Sequence, residues 1–269
     1  MSRFAAAWLT LRERYDLAAR NADVLNAVTA SLKSASAVRV IDLACGAGST
    51  VRALHPRLPA RQYWDLVDND PDLLTLAING NHDKGVTLNA IRLDLSRNLS
   101  GALHCEADLI TASALLDLVS SEWLEQFLRA VTSRALPVYA ALSYDGRADL
   151  SPADPCDAPV ISAVNAHQRT DKGFGPALGP LAAGSAIAGF ESLGYSVVSG
   201  QSDWVIGPDD HAMQNELMDG WANAARDMGI MPGTEIDSWL TRRKAALSEG
   251  VSSMRVGHAD FFAFPSSAR

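Results

Sequence analysis

Two groups of residues in this chain have the types and spacing to hold a ligand. The first is the run Val38-Arg39-Val40-Ile41-Asp42-Leu43-Ala44-Cys45-Gly46-Ala47-Gly48-Ser49-Thr50, in which apolar residues end on an acid and pass into a Gly-x-Gly turn. Backbone can approach a nucleotide-like ligand closely only where no Cβ intervenes, which Gly46 and Gly48 permit. Asp68 closes the next apolar run, where a carboxylate can grip a ribose diol through charge-assisted hydrogen bonds. The second group is the polar stretch from His167 to Pro176. His167 titrates near neutrality and is the candidate general base. Tyr144, Arg169 and Asp171 are the candidates for orienting a polar or anionic substrate.

These residues need strands and helices to position them. Val38, Val40 and Ile41 predict a strand buried on both faces, followed by a helix that Ser49 or Thr50 opens. A second strand over 62–67 ends at Asp68-Asn69-Asp70-Pro71, where Asp70 suits an N-cap ahead of Pro71 and leaves Asp68 free for a ligand. A third strand over 86–95 reaches Asp94 and Leu95, and a fourth over 107–113 ends at Ser113. Ser121 is expected to cap a helix carrying Trp123, Leu124, Phe127, Leu128 and Val131. Asp117, just before it, reads better as a helix-start acid than as a substrate contact. A fifth strand spans 137–143. Strands alternating with helices predict an α/β fold.

The glycine turn fails two familiar signatures: the dinucleotide fingerprint would need glycine at Val51, and a P-loop needs Gly-Lys-Ser/Thr. Asp42-Leu43-Ala44-Cys45-Gly46-Ala47-Gly48 instead resembles the first motif, D-x-A/G-x-G-x-G, of class I S-adenosylmethionine (SAM) dependent methyltransferases. Residues 67–74 resemble that family's second motif, and Asp94-Leu95 its third strand end. The resemblance spans about residues 38–120. It implies a Rossmann-like, mostly parallel seven-stranded sheet with an antiparallel terminal strand and helices on both faces; the helical insertions in the carboxyl half depart from that plan. It also implies SAM as cofactor, with S-adenosylhomocysteine (SAH) as product. Asp42, Ala44, Gly46 and Gly48 would then surround the cofactor, and Asp68 with Asn69 would meet its ribose. Asp94 would face the adenine amino group, Leu95 would pack on the ring, and Ser113 with Ala114 would border the methionyl part. Taken alone, Asp94 could equally cap a turn. An amino-terminal helix over the site is also implied. Residues 4–33 read as one amphipathic helix in which Arg12, Arg14, Tyr15, Asp16, Arg20 and Asn21 lie between apolar positions.

Domain organisation follows: residues 1–36 form an amino-terminal helical segment over the cofactor site, and 37–269 a methyltransferase domain with insertions at about 146–180 and 207–250. The first insertion is expected to start as a loop, with one or two helical turns in 160–168, and to act as a lid. A strand interrupted at Gly200 is expected over 195–206, Pro208-Asp209-Asp210 should cap a helix, and Thr234-x-x-Asp237 resembles a capping box. Residues 253–264 read as the last strand. Trp204, Trp221 and Trp239 are expected in the core rather than as stacking platforms.

The net charge of −8 argues against a surface for nucleic-acid phosphates, and no Asn/Asp-Pro-Pro-Tyr/Phe motif for exocyclic base amines is present. No apolar run suits a membrane span, and the start of the chain lacks a secretory signal. Cys45, Cys105 and Cys156 match no metal-ligand spacing and suit a reducing cytoplasm. The expectation is a cytoplasmic enzyme moving a methyl group to an oxygen, nitrogen or carbon of a small-molecule acceptor, with a homodimer possible through the helical insertion. An RNA or protein methyltransferase, a non-catalytic SAM-binding subunit and an NAD oxidoreductase are the competing readings.

Overall fold

Apolar β-branched segments set the centre of a twisted sheet. The computed structural model describes residues 6–80, 84–103 and 106–266. Two helices, α1 (Ala6–Ala19) and α2 (Ala22–Leu32), precede β1 (Val38–Leu43), five of whose six residues are buried. Then follow α3 (Ser49–Leu54), β2 (Gln62–Asp68), α4 (Pro71–Asn79), β3 (Val86–Arg92), α5 (Leu99–Ala102) and β4 (Leu109–Ser113). After a 3-10 turn at Leu116–Leu118 come α6 (Ser121–Thr132), β5 (Val138–Ser151), α7 (Asp157–Gln168) and α8 (Ala182–Ser192). The chain closes with β6 (Tyr195–Gln201), β7 (Trp204–Ile206), α9 (His211–Met228), α10 (Gly233–Ser248) and β8 (Ser253–Pro265).

The strands lie in the order β3-β2-β1-β4-β5-β8-β6, with β7 also paired to β8. Pairings among β1 to β5 are parallel, whereas β8 runs antiparallel to β5, β6 and β7. The chain leaves β1 outward to β2 and β3, then returns to β4 on the other side. The carboxyl ends of β1 and β4 therefore flank the topological switch point, where open sheets bind ligands. The mostly parallel, Rossmann-like architecture read from the sequence is present, with eight strands rather than seven.

Apolar side chains on the two sheet faces form separate cores, one around Phe127, Phe190 and Phe261, the other around Trp64, Tyr139 and Phe262. A third core joins both insertions: Val160 of α7, Met213 and Trp221 of α9, and Ile236 and Trp239 of α10 pack with Trp204 and Tyr15. The insertions thus build one cap over the carboxyl ends of the strands.

Several boundaries differ from the sequence reading. Residues 4–33 are two helices, because the Asn21 side chain accepts from the amides of Asp23 and Val24 and caps α2; Phe4 lies outside the described residues. Ser120, not Ser121, caps α6 by accepting from the Trp123 amide. The break in the strand over 195–206 falls at Ser202-Asp203 rather than Gly200, and both halves pair with β8. β5 runs on to Ser151, and α7 makes three turns rather than one or two. The capping box at Thr234 does not form, since Pro232 takes the cap position and Thr234 lies inside the helix. Asp210 does precede α9, but its carboxylate accepts from the Gly207 amide instead of a helix amide. No helix of the described residues is long and apolar enough to cross a membrane.

Candidate functional site

The glycine turn sits at the end of β1, and its backbone is left-handed at Ala44 (φ 52°), Gly46 (φ 52°) and Gly48 (φ 81°). Gly48 is the N-cap of α3 in that conformation, so neither Ser49 nor Thr50 performs the capping. The turn is tied down from two sides: the Gly46 amide donates to Asp68 Oδ2 at 2.9 Å, and the Cys45 amide donates to the Val67 carbonyl at 3.1 Å. Asp68 Oδ1 accepts from the Asp70 amide at 3.0 Å. Each oxygen of this carboxylate can still accept another hydrogen bond. Burial pushes the Asp68 carboxyl up from its ordinary range, and these amides act against that shift. Asp70 caps α4 as expected, accepting from the amides of Asp72 and Leu73.

Above the turn lies a cavity of about 350 Å³ whose far wall is α1. Leu9 reaches Gly46 so closely that a Cβ there would lie 3.5 Å from its Cδ1. Glu13 and Arg52 form an ion pair (Nη2 to Oε2, 2.9 Å) that fastens α1 to α3. Ser113, at the end of β4, meets Thr50 Oγ1 and Arg20 Nη2, each at 3.1 Å. Arg20 is buried and reaches the Tyr139 hydroxyl at 3.1 Å, which in turn donates to Asp260 Oδ2 at 3.2 Å.

The structure brings Ala44, Gly46, Asp68, Asn69, Leu95 and Ser113 to this cavity, as the sequence suggested. Three expected contacts lie elsewhere. Asp42 is fully buried beneath the turn; its Oδ1 accepts from Thr111 Oγ1 at 2.7 Å, and burial raises its carboxyl to about 7. Gly48 is buried as a helix cap. Asp94 lies beyond the end of β3 and spends its carboxylate on the Ser96 amide (3.0 Å) and hydroxyl (2.7 Å), which is the turn-capping alternative. Leu93 lines the cavity instead. Of the polar residues noted on the amino-terminal helix, Arg12 and Asp16 line it, while Tyr15 is buried in the cap core and Arg14 reaches Asp210. Glu13 was not foreseen.

A second cavity, of about 890 Å³, opens under the cap. It shares Arg12, Ala114, Leu118 and Lys172 with the first, so the two adjoin across these residues. Tyr144 lines it and donates from its hydroxyl to Asn165 Oδ1 at 2.8 Å; burial raises its ionisation above the ordinary tyrosine range. His167 lines it too, but Lys172 Nζ lies 3.3 Å from Nδ1 and Asp227 Oδ2 lies 3.8 Å from Nε2. An ammonium can only donate, so Nδ1 must accept and Nε2 must carry the proton. His167 then has no free lone pair with which to act as a base, and burial together with Lys172 lowers its affinity for a proton. Asp171 also borders the cavity, yet its Oδ1 accepts from the Gly173 and Gly175 amides and so holds the loop's shape. Arg169 is exposed and lines neither cavity. The stretch after α7 does lie over the pocket, through Lys172 and Phe174, and Phe174 packs edge-on against Trp123. Trp204, Trp221 and Trp239 are buried as expected, although the first two also face the second cavity.

Asp117, set aside as a helix-start acid, is buried in the wall of this cavity, and its Oδ1 has no hydrogen-bond partner. Among the described residues no group of His, Cys, Asp and Glu could hold a metal ion. Cys45 is buried in the glycine turn and Cys156 is half-buried, both free, while Cys105 lies outside the described residues.

Residues 40–137 match the family model described as a methyltransferase domain. No curated protein matches the chain. Among solved structures, a cyclopropane-fatty-acyl-phospholipid synthase-like protein from Lactobacillus casei is 12% identical, with 97% of this chain and 94% of that chain covered and a TM-score of 0.51. A SAM-dependent methyltransferase from Thiobacillus denitrificans, solved with S-adenosylhomocysteine, is 14% identical over 98% of this chain and 100% of that chain, with a TM-score of 0.46. A SAM-dependent methyltransferase from Geobacter sulfurreducens, also solved with S-adenosylhomocysteine, is 15% identical over 99% and 100%, with a TM-score of 0.46. At 12% identity, the likeness to the Lactobacillus casei protein speaks for the fold alone.

Proposed function

We propose that the chain is a class I SAM-dependent methyltransferase, a reading that the methyltransferase-domain match over residues 40–137 and the strand order support, and that it transfers the methyl group to a small-molecule acceptor seated in the second cavity. The observation that carries this reading is the pair of adjoining cavities with a common wall of Arg12, Ala114, Leu118 and Lys172. The first has the features a nucleoside-bearing cofactor needs. Gly46 gives close backbone approach, Asp68 keeps acceptor capacity for a diol, and Leu73, Leu93 and Leu95 offer apolar surface for a flat ring.

SAM supplies an activated methyl carbon on a sulfonium. What remains for the protein is alignment of the nucleophile, exclusion of water and, for a protonated nucleophile, removal of a proton. The cap carries out the first two: α1, α7 and α9 close over the junction with aromatic and aliphatic surface. A cavity of about 890 Å³ suits a compact organic molecule and is too small for a folded macromolecule.

Gly220 of α9 lines the second cavity, and a Cβ built there meets nothing within 4 Å. Gly220→Trp therefore extends an indole into open space at the cavity wall. Calorimetry should show SAM and SAH binding to this variant as to the parent protein, while SAH production with an acceptor pool falls. If SAH production is unchanged, or SAM does not bind the parent protein, the reading fails.

A further inference from the structure

Among the described acids that line the second cavity, Asp117 alone has a buried oxygen without a hydrogen-bond partner. Its side chain is 7% exposed, that exposure opens on the cavity, and Oδ1 is covered and unpartnered. It sits in the 3-10 turn Leu116–Leu118, between Ala114 and Leu118, two of the residues shared by both cavities. It is therefore placed at the junction that an acceptor atom must reach. A buried carboxyl oxygen without a partner is costly unless a ligand pairs with the group, and the only other influences on Asp117 are its own backbone amide and the charge of Arg12.

The basic groups around the cavity and Asp171 are already engaged. Arg12 is held by Asp16 through two bonds (2.9 and 3.2 Å) and stacks over Trp204 with its guanidinium carbon 5.0 Å from the ring centre. Lys172 faces His167, and the Asp171 carboxylate is occupied by its own loop. His258 also lines the cavity, but burial and Arg12 lower its proton affinity to about 3. Its Nδ1 lies 3.1 Å from the Val256 carbonyl, which can only accept. The ring therefore carries its proton on Nδ1 and leaves Nε2 able to accept a hydrogen bond, but not to hold a proton near neutrality. Glu216 and Asp227 add negative charge on the same wall, and Trp8, Tyr144 and Trp221 supply aromatic surface, which favours a cation over an anion.

Resting on the two-cavity reading, we infer that the acceptor is a small molecule with a basic amine, and that Asp117 binds its ammonium form and takes the proton that frees the nitrogen lone pair. The nitrogen then forms a bond to the methyl carbon as the carbon–sulfur bond breaks, and that electron pair stays on sulfur, which becomes the neutral thioether of SAH. The proton moves to Asp117 before attack and leaves to solvent with product release. A carboxyl group that burial has drawn to about 6 is suited to accept and return it near neutrality. Desolvation in the pocket pushes both an ammonium and a carboxylate toward their neutral forms, which is the direction of this transfer, while their mutual attraction acts against it.

The test uses the full chain loaded with SAH and three probes of one shape: 2-phenylethylamine, 2-phenylethanol and 3-phenylpropionate. Calorimetry should rank the amine tightest, by about tenfold over the alcohol, the scale of one charge-assisted bond. Asp117→Asn should remove that tenfold preference while SAH affinity stays unchanged and the thermal midpoint does not fall. Equal binding of amine and alcohol by the parent protein, or tighter binding of the propionate, would overturn the inference, and neither result requires the variant to fold. An amine preference that survives in Asp117→Asn would also overturn it. Failure of the two-cavity reading looks different: Gly220→Trp would then displace none of the probes.

Discussion

Replacing Asp68 with alanine tests the cofactor cavity most directly, and the structure separates two consequences. The carboxylate accepts from the Gly46 amide at 2.9 Å and from the Asp70 amide at 3.0 Å, so it braces the glycine turn, and it also faces the cavity where the ribose is expected. A hydrogen bond to a charged group contributes about 1.5–3 kcal/mol, which converts to a loss of about 10- to 150-fold in SAH affinity for one such bond. A loosened turn would lower affinity too, so SAH should be titrated beside its 2′-deoxy counterpart. The parent protein should prefer SAH over the deoxy compound by a large part of that factor, and Asp68→Ala should bind both alike. This double-mutant logic isolates the diol contact from the bracing role. An unchanged SAH affinity in Asp68→Ala would refute the assignment, as would a preference for the ribose that persists without the carboxylate.

Further perturbations test other parts of the molecule. His167→Gln should keep SAH production within about threefold of the parent, whereas Asp117→Asn should lower it by about 10²-fold or more, measured with 2-phenylethylamine at saturating SAM; the reverse order would restore His167 as the base. Asp42→Asn bears on stability and pH. Burial raises the folded-state carboxyl from 3.8 to about 7, so the folded chain holds that proton more tightly than the unfolded chain and this group's contribution falls as pH rises through that window. The variant's gain over the parent in urea denaturation should be near zero at about pH 3 and on the order of 4 kcal/mol by about pH 8; a gain that shrinks with rising pH would contradict the sign. Arg243→Ala should destabilise by about 3–5 kcal/mol, because the arginine is buried and its loss leaves Asp157 without its ion pair, and denaturation followed by tryptophan fluorescence would report it. Gly220→Ala should stabilise by about 0.5–1 kcal/mol, since the glycine lies inside α9 with open space at its Cβ position; a lowered thermal midpoint would show that the space is not free.

The cofactor half of the molecule was legible because its signals are local. The glycine turn, the acid closing β2 and the cap of α4 each lie within a few residues, and the order of strand ends fixes which of them meet. The limits of that reading are also local. Asp42 and Asp68 look alike in sequence, but Asp42 is the penultimate residue of β1 and lies in register with Leu66 and Thr111, so its side chain is enclosed by neighbouring strands. Asp68 is the last residue of β2 and reaches the cavity. Asp94 falls beyond the end of β3, where Ser96 offers both an amide and a hydroxyl to its carboxylate. Such competition for a carboxylate depends on where a strand stops, and periodicity places a strand end only to within a few residues.

The acceptor half was nearly silent in the sequence for a different reason. Its wall is gathered from α1, the 3-10 turn after β4, β5, α7, β7, α9 and β8, so no window of the chain contains more than a fragment of it. Composition then misleads in both directions. His167 has the residue type of a base, yet Lys172, five positions on, occupies the nitrogen that would accept a proton. Asp117 has the position of a helix-start acid, yet a 3-10 turn carries it into the wall ahead of α6, while Ser120 caps that helix. The distinction rests on which polar atoms retain unsatisfied bonding capacity after folding. Residue type alone does not show this, and it moves the proposed chemistry from a polar or anionic acceptor oriented by Tyr144, Arg169 and Asp171 to an amine paired with Asp117.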